Sequence, residues 1–375
     1  MADFTSMEGF FLGSILCAGL ACLDMQMLGA TKMSDPEAIN TFQKTVYCAG
    51  GSAPMTSSAL AHMGMTDVGV LIKLGNDLHG DEMTRQLQSA GVRTDMVIRT
   101  DDYQTSLSVL PIFESGGRAC WVELGANTSL NTEEIVEALR AGLQTGRLPN
   151  CRVFHFGYPH LLDSLQGEDL LQLLQSVKRE LNNCILSVDL NGVDPDKHTV
   201  PHGKDILGPA LHMIDVLHAN YEEAHVITGC QKPEGKAQTD LDHLRRLSSV
   251  LLEKGVGIVA ITLGSEGAFL RVTSDASRLE ASEALSYQAK AWVGQEVLLP
   301  AYTVEEGSSI NANGAGDAFV GGLLASLACK QQLDTDTALR MALMTSLQRV
   351  DSNKRNNPQK LSAAEILMKC LAQAP

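Results

Sequence analysis

Short β-type runs alternate with amphipathic helical stretches along most of this chain, and that alternation limits the fold more than any other feature. "VGVLIKL" (Val68 to Leu74) precedes "GDEMTRQLQSAG", and "RVFHF" (Arg152 to Phe156) precedes "GEDLLQLLQSVKRELNN". "CILSVDL" and "IDVLHAN" bracket a further helical stretch, and "GIVAITLG" (Gly257 to Gly264) follows "LDHLRRLSSVLLEKG". The apolar run from Ile15 to Leu23 reads as a first buried strand. Strands separated by helices in this way predict an α/β fold, a central parallel-rich sheet flanked by helices on both faces. Ligands of such sheets bind beyond the carboxyl ends of the strands.

Two segments break the pattern. Residues from about 25 to 47 and from 105 to 124 are β-rich with no helix between their runs, and a Gly116-Gly117 turn in the second suits a hairpin. They are expected to form a small sheet standing off the main one as a lid. Ser274 to Pro300 is the least readable stretch. At 375 residues, one large domain with a small excursion competes with two domains.

Charge narrows the partners. The net charge is −15, with no basic run longer than a pair, so nucleic acid and anionic membranes are excluded as expected partners. Any phosphate must be held locally, by loop N–H groups, a helix N-terminus or a metal ion. Nine scattered cysteines, never spaced C-x-x-C, fit buried thiols in a reducing compartment. The apolar start carries Asp3 and Glu8 where a signal peptide has positive charge, and Asp24 ends it too early for a membrane span. A cytoplasmic protein is expected.

"INANGAGDAFVGG", Ile310 to Gly322, carries the chemistry. Asn313 to Gly316 reads as a loop and the apolar run after Asp317 as a helix. An uncluttered backbone at a helix N-terminus can point successive N–H groups at an anion. Asp317, in the first turn, either caps that terminus or serves as a general base beside the anion hole. Local pattern alone leaves both open. Other signatures fail: "GNDLHGDE" has Asp81 and Glu82 where a P-loop needs Lys and Ser or Thr, and no G-x-S-x-G elbow exists. His155 and His160 lack helical metal spacing.

"NGAGDAFVGG" (Asn313 to Gly322) resembles the C-terminal signature of the ribokinase-like, or PfkB, family of sugar and nucleoside kinases. "GLACLD" (Gly19 to Asp24), Gly50-Gly51, "KLGNDLHGDEM" (Lys73 to Met83), "GANTSL" (Gly125 to Leu130), "DLN" (Asp189 to Asn191), "NYEE" (Asn220 to Glu223) and "TLGSEG" (Thr262 to Gly267) resemble other family segments in the same order, over almost the whole chain. The resemblance implies a single ribokinase-like domain over 1–375, with the lid inserted in it. It implies that Asp317 is the general base and that the N–H groups of Gly314, Ala315 and Gly316 form the anion hole. By the same resemblance Asp24, Gly50 and Gly51 bind the acceptor, and Asn220, Thr262, Gly264 and Gly267 bind the nucleotide. Glu223 acts on magnesium through water, and MgATP (ATP with Mg2+) donates its γ-phosphoryl group to a sugar or nucleoside. A homodimer joined through the lid is expected.

The chain also departs from the family. Asn311-Ala312 stand where the family usually has Asp-Thr, and the tail from Gln348 to Gln359 lacks a glycine expected in the monovalent-cation loop, so no potassium site is expected. Met55 replaces a sugar-contacting Asn, and Gly157 in "FHFGYP" stands where ribokinase has Glu, which argues against ribose. A family member that binds ligand without turnover is the rival reading. A nicotinamide-dependent oxidoreductase with a coincidental glycine loop is a weaker rival.

Overall fold

Alternate residues of a strand face opposite sides of its sheet, and the first strand shows why both faces are covered. In β1 (Ser14–Gly19), Ile15 and Cys17 enter one apolar core while Leu16 and Ala18 enter the other, all four fully buried. The computed structural model describes residues 10–31, 39–113, 117–148, 150–200, 202–235, 237–280, 282–308, 310–351 and 361–372. The remaining strands, in chain order, are β2 (Cys22–Ala30), β3 (Lys44–Gly50), β4 (Val68–Leu71), β5 (Lys73–Gly75), β6 (Ile98–Thr100), β7 (Leu107–Phe113), β8 (Trp121–Glu123), β9 (Cys151–Gly157), β10 (Ile185–Asp189), β11 (Val216–Asn220), β12 (Ile258–Thr262), β13 (Ala268–Val272) and β14 (Glu296–Leu299).

The main sheet has the order β14-β13-β12-β11-β10-β9-β1-β4. Its strands from β4 to β12 are parallel, and β13 and β14 join antiparallel at one edge. This is the parallel-rich α/β architecture expected from the alternation. Helices Ser52–His62, Ala315–Ala328 and Thr335–Val350 pack together on one face. Helices Thr132–Gln144, Glu168–Glu180 and Leu241–Glu253 bury their apolar stripes in the core of the other. Ala315–Ala328 is buried on all sides, as a helix apolar all round must be.

A second, four-stranded sheet has the order β3-β2-β7-β8. Its outer pairings are antiparallel, while β2 and β7 run parallel because the chain between Gly50 and Leu107 is long enough for a crossover. Gly117 sits at φ 81° beyond β7; Gly116 lies outside the described residues. Among the described residues no helix is long and apolar enough to cross a membrane. All nine cysteines are unpaired thiols.

Three expectations need correction. The run from Ile15 to Leu23 is two strands: the chain turns at Gly19 (φ 116°), so β1 serves the main sheet and β2 the small one. Likewise Val68 to Leu74 divides into β4 in the main sheet and β5, which pairs only with β6. Between β10 and β11 only a four-residue helix, Pro195–His198, and a 3-10 turn, Gly208–Met213, occur. Closely spaced Pro195, Gly203, Gly208 and Pro209 prevent a continuous i→i−4 ladder there. Ser274 to Pro300 resolves into helices Ala276–Glu280 and Glu283–Trp292 followed by β14.

Candidate active site

Gly314 precedes helix Ala315–Ala328 with φ 77° and ψ 17°, a left-handed conformation that side-chain-bearing residues adopt only with strain. The first-turn N–H groups of the helix have no intrahelical acceptor and open onto a cavity of about 470 Å³. The Ala315 N–H is held by the Ala312 carbonyl at 3.1 Å, which sets the loop's curvature. The Asn311 side chain accepts the Asn313 N–H at 3.0 Å and continues the same turn.

Asp317 lies on the cavity wall, 4% exposed. Burial, together with the neighbouring Asp189 carboxylate, pushes its pKa up to about 8, against a hydrogen bond from Tyr158 and the positive fields of Arg349 and His218. The Tyr158 hydroxyl donates to Asp317 Oδ1 at 2.8 Å. Tyr158 itself holds φ 61°, ψ 49°, a conformation uncommon outside glycine and concentrated at functional sites. A carboxyl group held near neutral pH by such surroundings matches the demand on a general base.

Asp24, on β2, closes the opposite side of the cavity. Its Oδ1 accepts hydrogen bonds from the Ser108 hydroxyl and, at 3.3 Å, the Cys22 thiol, and its Oδ2 accepts from the Asn313 amide at 3.3 Å. Gly50 lies so close that a Cβ there would stand 2.3 Å from Asp24 Oδ1. Gly51, at φ 86°, heads the helix Ser52–His62 and lines the cavity with Met55. The Arg118 guanidinium, exposed on the small sheet, donates to the Asn313 side chain and so ties the sheet to the glycine loop. One cavity thus gathers Asp24, Gly51, Gly314, Ala315, Gly316 and Asp317, with Gly50 behind Asp24.

Toward β10, β11 and β12 the same cavity reaches Asp189, Asn220, Glu223 and Thr262. Asn220 and Glu223 form a reciprocal capping box: the Asn220 side chain accepts the Glu223 N–H, and Glu223 Oε2 accepts the Asn220 N–H at 2.8 Å. Glu223 Oε1 accepts the Gly192 N–H at 2.7 Å. Burial nonetheless raises the Glu223 pKa. Among the described residues no three acidic, histidine or cysteine side chains converge on a metal position. With both Glu223 oxygens engaged and Asp189 beside it, the donor set is all oxygen and suits a hydrated magnesium ion held largely by its own waters and by phosphate. An adjoining cleft is lined by Asn220, Thr262, Gly264 and Glu266. Gly267 does not line it; at φ 117° it closes the turn, its carbonyl accepting the Leu263 N–H at 2.9 Å.

Tyr158, Ser108, His218 and Arg349 were not singled out by sequence reasoning. His218 Nδ1 lies 2.5 Å from Asp189 Oδ1 and Nε2 3.2 Å from Thr262 Oγ1, spanning three neighbouring strand ends. Burial lowers the His218 pKa, but Asp189 outweighs it and the net shift is upward. His218 stands two residues before Asn220 on β11 and therefore on the same face, which is a legible signal. Arg349 donates to the Asn313 carbonyl at 2.9 Å, and nothing local in its helix marks it.

The comparisons with known proteins agree with this geometry. Residues 13–359 match the model of the pfkB family carbohydrate kinases. The chain is 26% identical over 285 residues to the deoxyribokinase of Salmonella typhi, covering 72% of each protein. It is 23% identical over 309 residues to the bifunctional ribokinase/ribose-5-phosphate isomerase A of Fructilactobacillus sanfranciscensis, where it covers 82% of this chain and spans only 46% of that relative's length. The Arabidopsis thaliana ribokinase structure, solved with ribose and ATP, superposes with a TM-score of 0.70 over 96% of this chain and 99% of that one, at 17% identity. A family model covering most of the chain, on this fold, settles the assignment: the chain belongs to the pfkB family of carbohydrate kinases.

Proposed function

We propose that this protein transfers the γ-phosphoryl group of ATP to a hydroxyl of an uncharged sugar or sugar-like acceptor. The observation that carries this reading is a buried carboxyl, Asp317, held protonatable near neutral pH at a helix N-terminus, facing a cavity closed on the other side by Asp24.

Asp24 and the Gly50-Gly51 backbone orient the acceptor. Asp317 takes the proton of the acceptor hydroxyl as that oxygen attacks the γ-phosphorus, and the bond to the β–γ bridging oxygen breaks to release ADP. The N–H groups around Gly314 and Gly316 meet the charge on the phosphoryl oxygens. Thr262, Gly264 and Asn220 border the cleft that would seat the nucleotide, with Gly267 shaping its turn. Asp189 and Glu223 would hold a magnesium ion through water, and that ion when bound offsets the phosphate charge.

The cavity favours a neutral acceptor. Asp24, Asp189, Glu223 and Asp317 line it, whereas Arg118 and Arg349 are drawn to Asn313. A second phosphate on the acceptor would therefore meet mostly negative charge. The small sheet, tied to the glycine loop through Arg118 and Asn313, acts as the lid that excludes water from the reaction. Its exposed Trp121 and Val122, on edge strand β8, offer a surface for a second copy. Sedimentation is expected to show a dimer that Trp121→Asp dissociates.

Thermal unfolding with a non-hydrolysable ATP analogue, Mg2+ and a panel of free sugars, sugar phosphates and nucleosides tests the reading. A ligand at ~100 times its Kd stabilises by about 2.7 kcal/mol. A rise with a free sugar, enlarged by the nucleotide, is expected; a rise with sugar phosphates alone would contradict the proposed acceptor class.

A further inference from the structure

His160, in the 3-10 turn after β9, is 6% exposed and lines the same cavity as Asp24, Tyr158 and Asp189. Neither of its ring nitrogens has a hydrogen-bond partner. The other buried histidines of the described residues do. His155 sits between Ser52 and Ser187, His218 between Asp189 and Thr262, and His225 and His243 meet each other. A buried polar group left unpaired bears its full desolvation penalty. Two such atoms on one ring, facing the cavity where the acceptor binds, mark a place that a ligand completes.

The ring's chemistry selects the ligand. Burial holds His160 neutral, its pKa down to about 4 despite the Asn191 backbone and Asp189. A neutral imidazole presents one donor and one acceptor. A hydroxyl both donates and accepts, so hydroxyl groups satisfy both nitrogens; a phosphate oxygen only accepts and leaves one unpaired. The acids around the cavity, Asp24, Asp189, Glu223 and Asp317, act against an anion in the same place. Leu20 and Leu161 add apolar wall that suits the C–H face of a ring or chain.

We propose that His160 is a specificity-determining residue whose imidazole hydrogen-bonds a hydroxyl of an uncharged polyol acceptor. This rests on the kinase reading above and gives a role to a side chain the transfer step itself does not use.

Two variants test it, His160→Leu, close in volume, and His160→Gln, which restores a donor and an acceptor. Urea denaturation without ligand comes first. The Leu variant is expected to match or exceed the wild-type midpoint, since it removes unpaired polar atoms; a lowered midpoint would mean that the ring is structural and would overturn the proposal. Steady-state kinetics with MgATP and D-ribose, 2-deoxy-D-ribose, D-fructose or adenosine follow. For whichever acceptor the wild type uses, His160→Leu is expected to raise the acceptor KM 10- to 100-fold, with kcat within a few-fold and the ATP KM unchanged, and His160→Gln to recover most of the loss. A higher ATP KM, or an unchanged acceptor KM, overturns the role while leaving the kinase reading intact. If the wild type turns over none of these probes, that reading fails on its own, and the ligand-free midpoints still decide whether His160 is a structural residue.

Discussion

Replacing Asp317 by Asn should make the protein more stable and nearly inactive, and the two effects have one cause. The side chain is isosteric, and its Oδ1 can still accept from the Tyr158 hydroxyl, so the geometry at 2.8 Å is kept. What is lost is the titration. In the unfolded chain this carboxyl ionises near 3.8, and in the folded protein near 8. Below pH 3.8 both states are protonated and the group is neutral in the balance. Above it the unfolded state releases its proton first, so the stability associated with this group falls as pH rises and levels off once the folded group ionises. At about 1.36 kcal/mol per pH unit the loss is on the order of 5 kcal/mol at pH 8.5 and about 1.6 kcal/mol at pH 5. Against this, an acid in the first turn gains about 0.3–1 kcal/mol from the helix dipole, which the Asn forgoes. Desolvation wins. Urea denaturation is expected to find the variant more stable than wild type at pH 8.5 by several kcal/mol and by far less at pH 5. Turnover should fall 10²- to 10⁴-fold, the usual contribution of a positioned base. A stability difference that does not grow with pH would refute the buried, uncharged state. Unchanged turnover would refute the base assignment.

Other perturbations separate the ends of the cavity. Tyr158→Phe removes the hydrogen bond that holds the Asp317 pKa down, so the basic limb of kcat/KM, expected near pH 8 in the wild type, should move to higher pH; a limb that stays in place contradicts the contact's role. Gly50→Ala drives a Cβ to 2.3 Å from Asp24 Oδ1 and should raise the acceptor KM at least tenfold with little change in the ATP KM. Gly264→Val puts a β-branched residue at φ 60° in the nucleotide cleft, a strain of about 1–2 kcal/mol, and should weaken ATP more than acceptor.

The sheet was legible because each of its strands is apolar, short and followed by helical or turn signals, and Asp317 was legible because four glycines around one acid have few other uses. The order of strands was not, since β1 lies between β4 and β9 through contacts far apart in sequence. The break at Gly19 was hidden by the apolar character of both halves, which bury in different sheets. Tyr158 escaped notice because its role depends on a left-handed backbone and a partner 159 residues away. Glu223, read as acting on a metal through water or as a cap, is seen as a cap. The tail beyond Asp351 lies outside the described residues up to Leu361, so the expected absence of a potassium site there has no structural counterpart.

The most direct test of the central claim is to follow phosphoryl transfer itself, by ³¹P NMR of wild type and Asp317→Asn incubated with MgATP and the free sugar that stabilises the protein. The proposed mechanism predicts a new sugar phosphate ester appearing in step with ADP in the wild type and almost none in the variant. ADP accumulating with inorganic phosphate and no ester, or no ADP at all although both ligands bind, would contradict it.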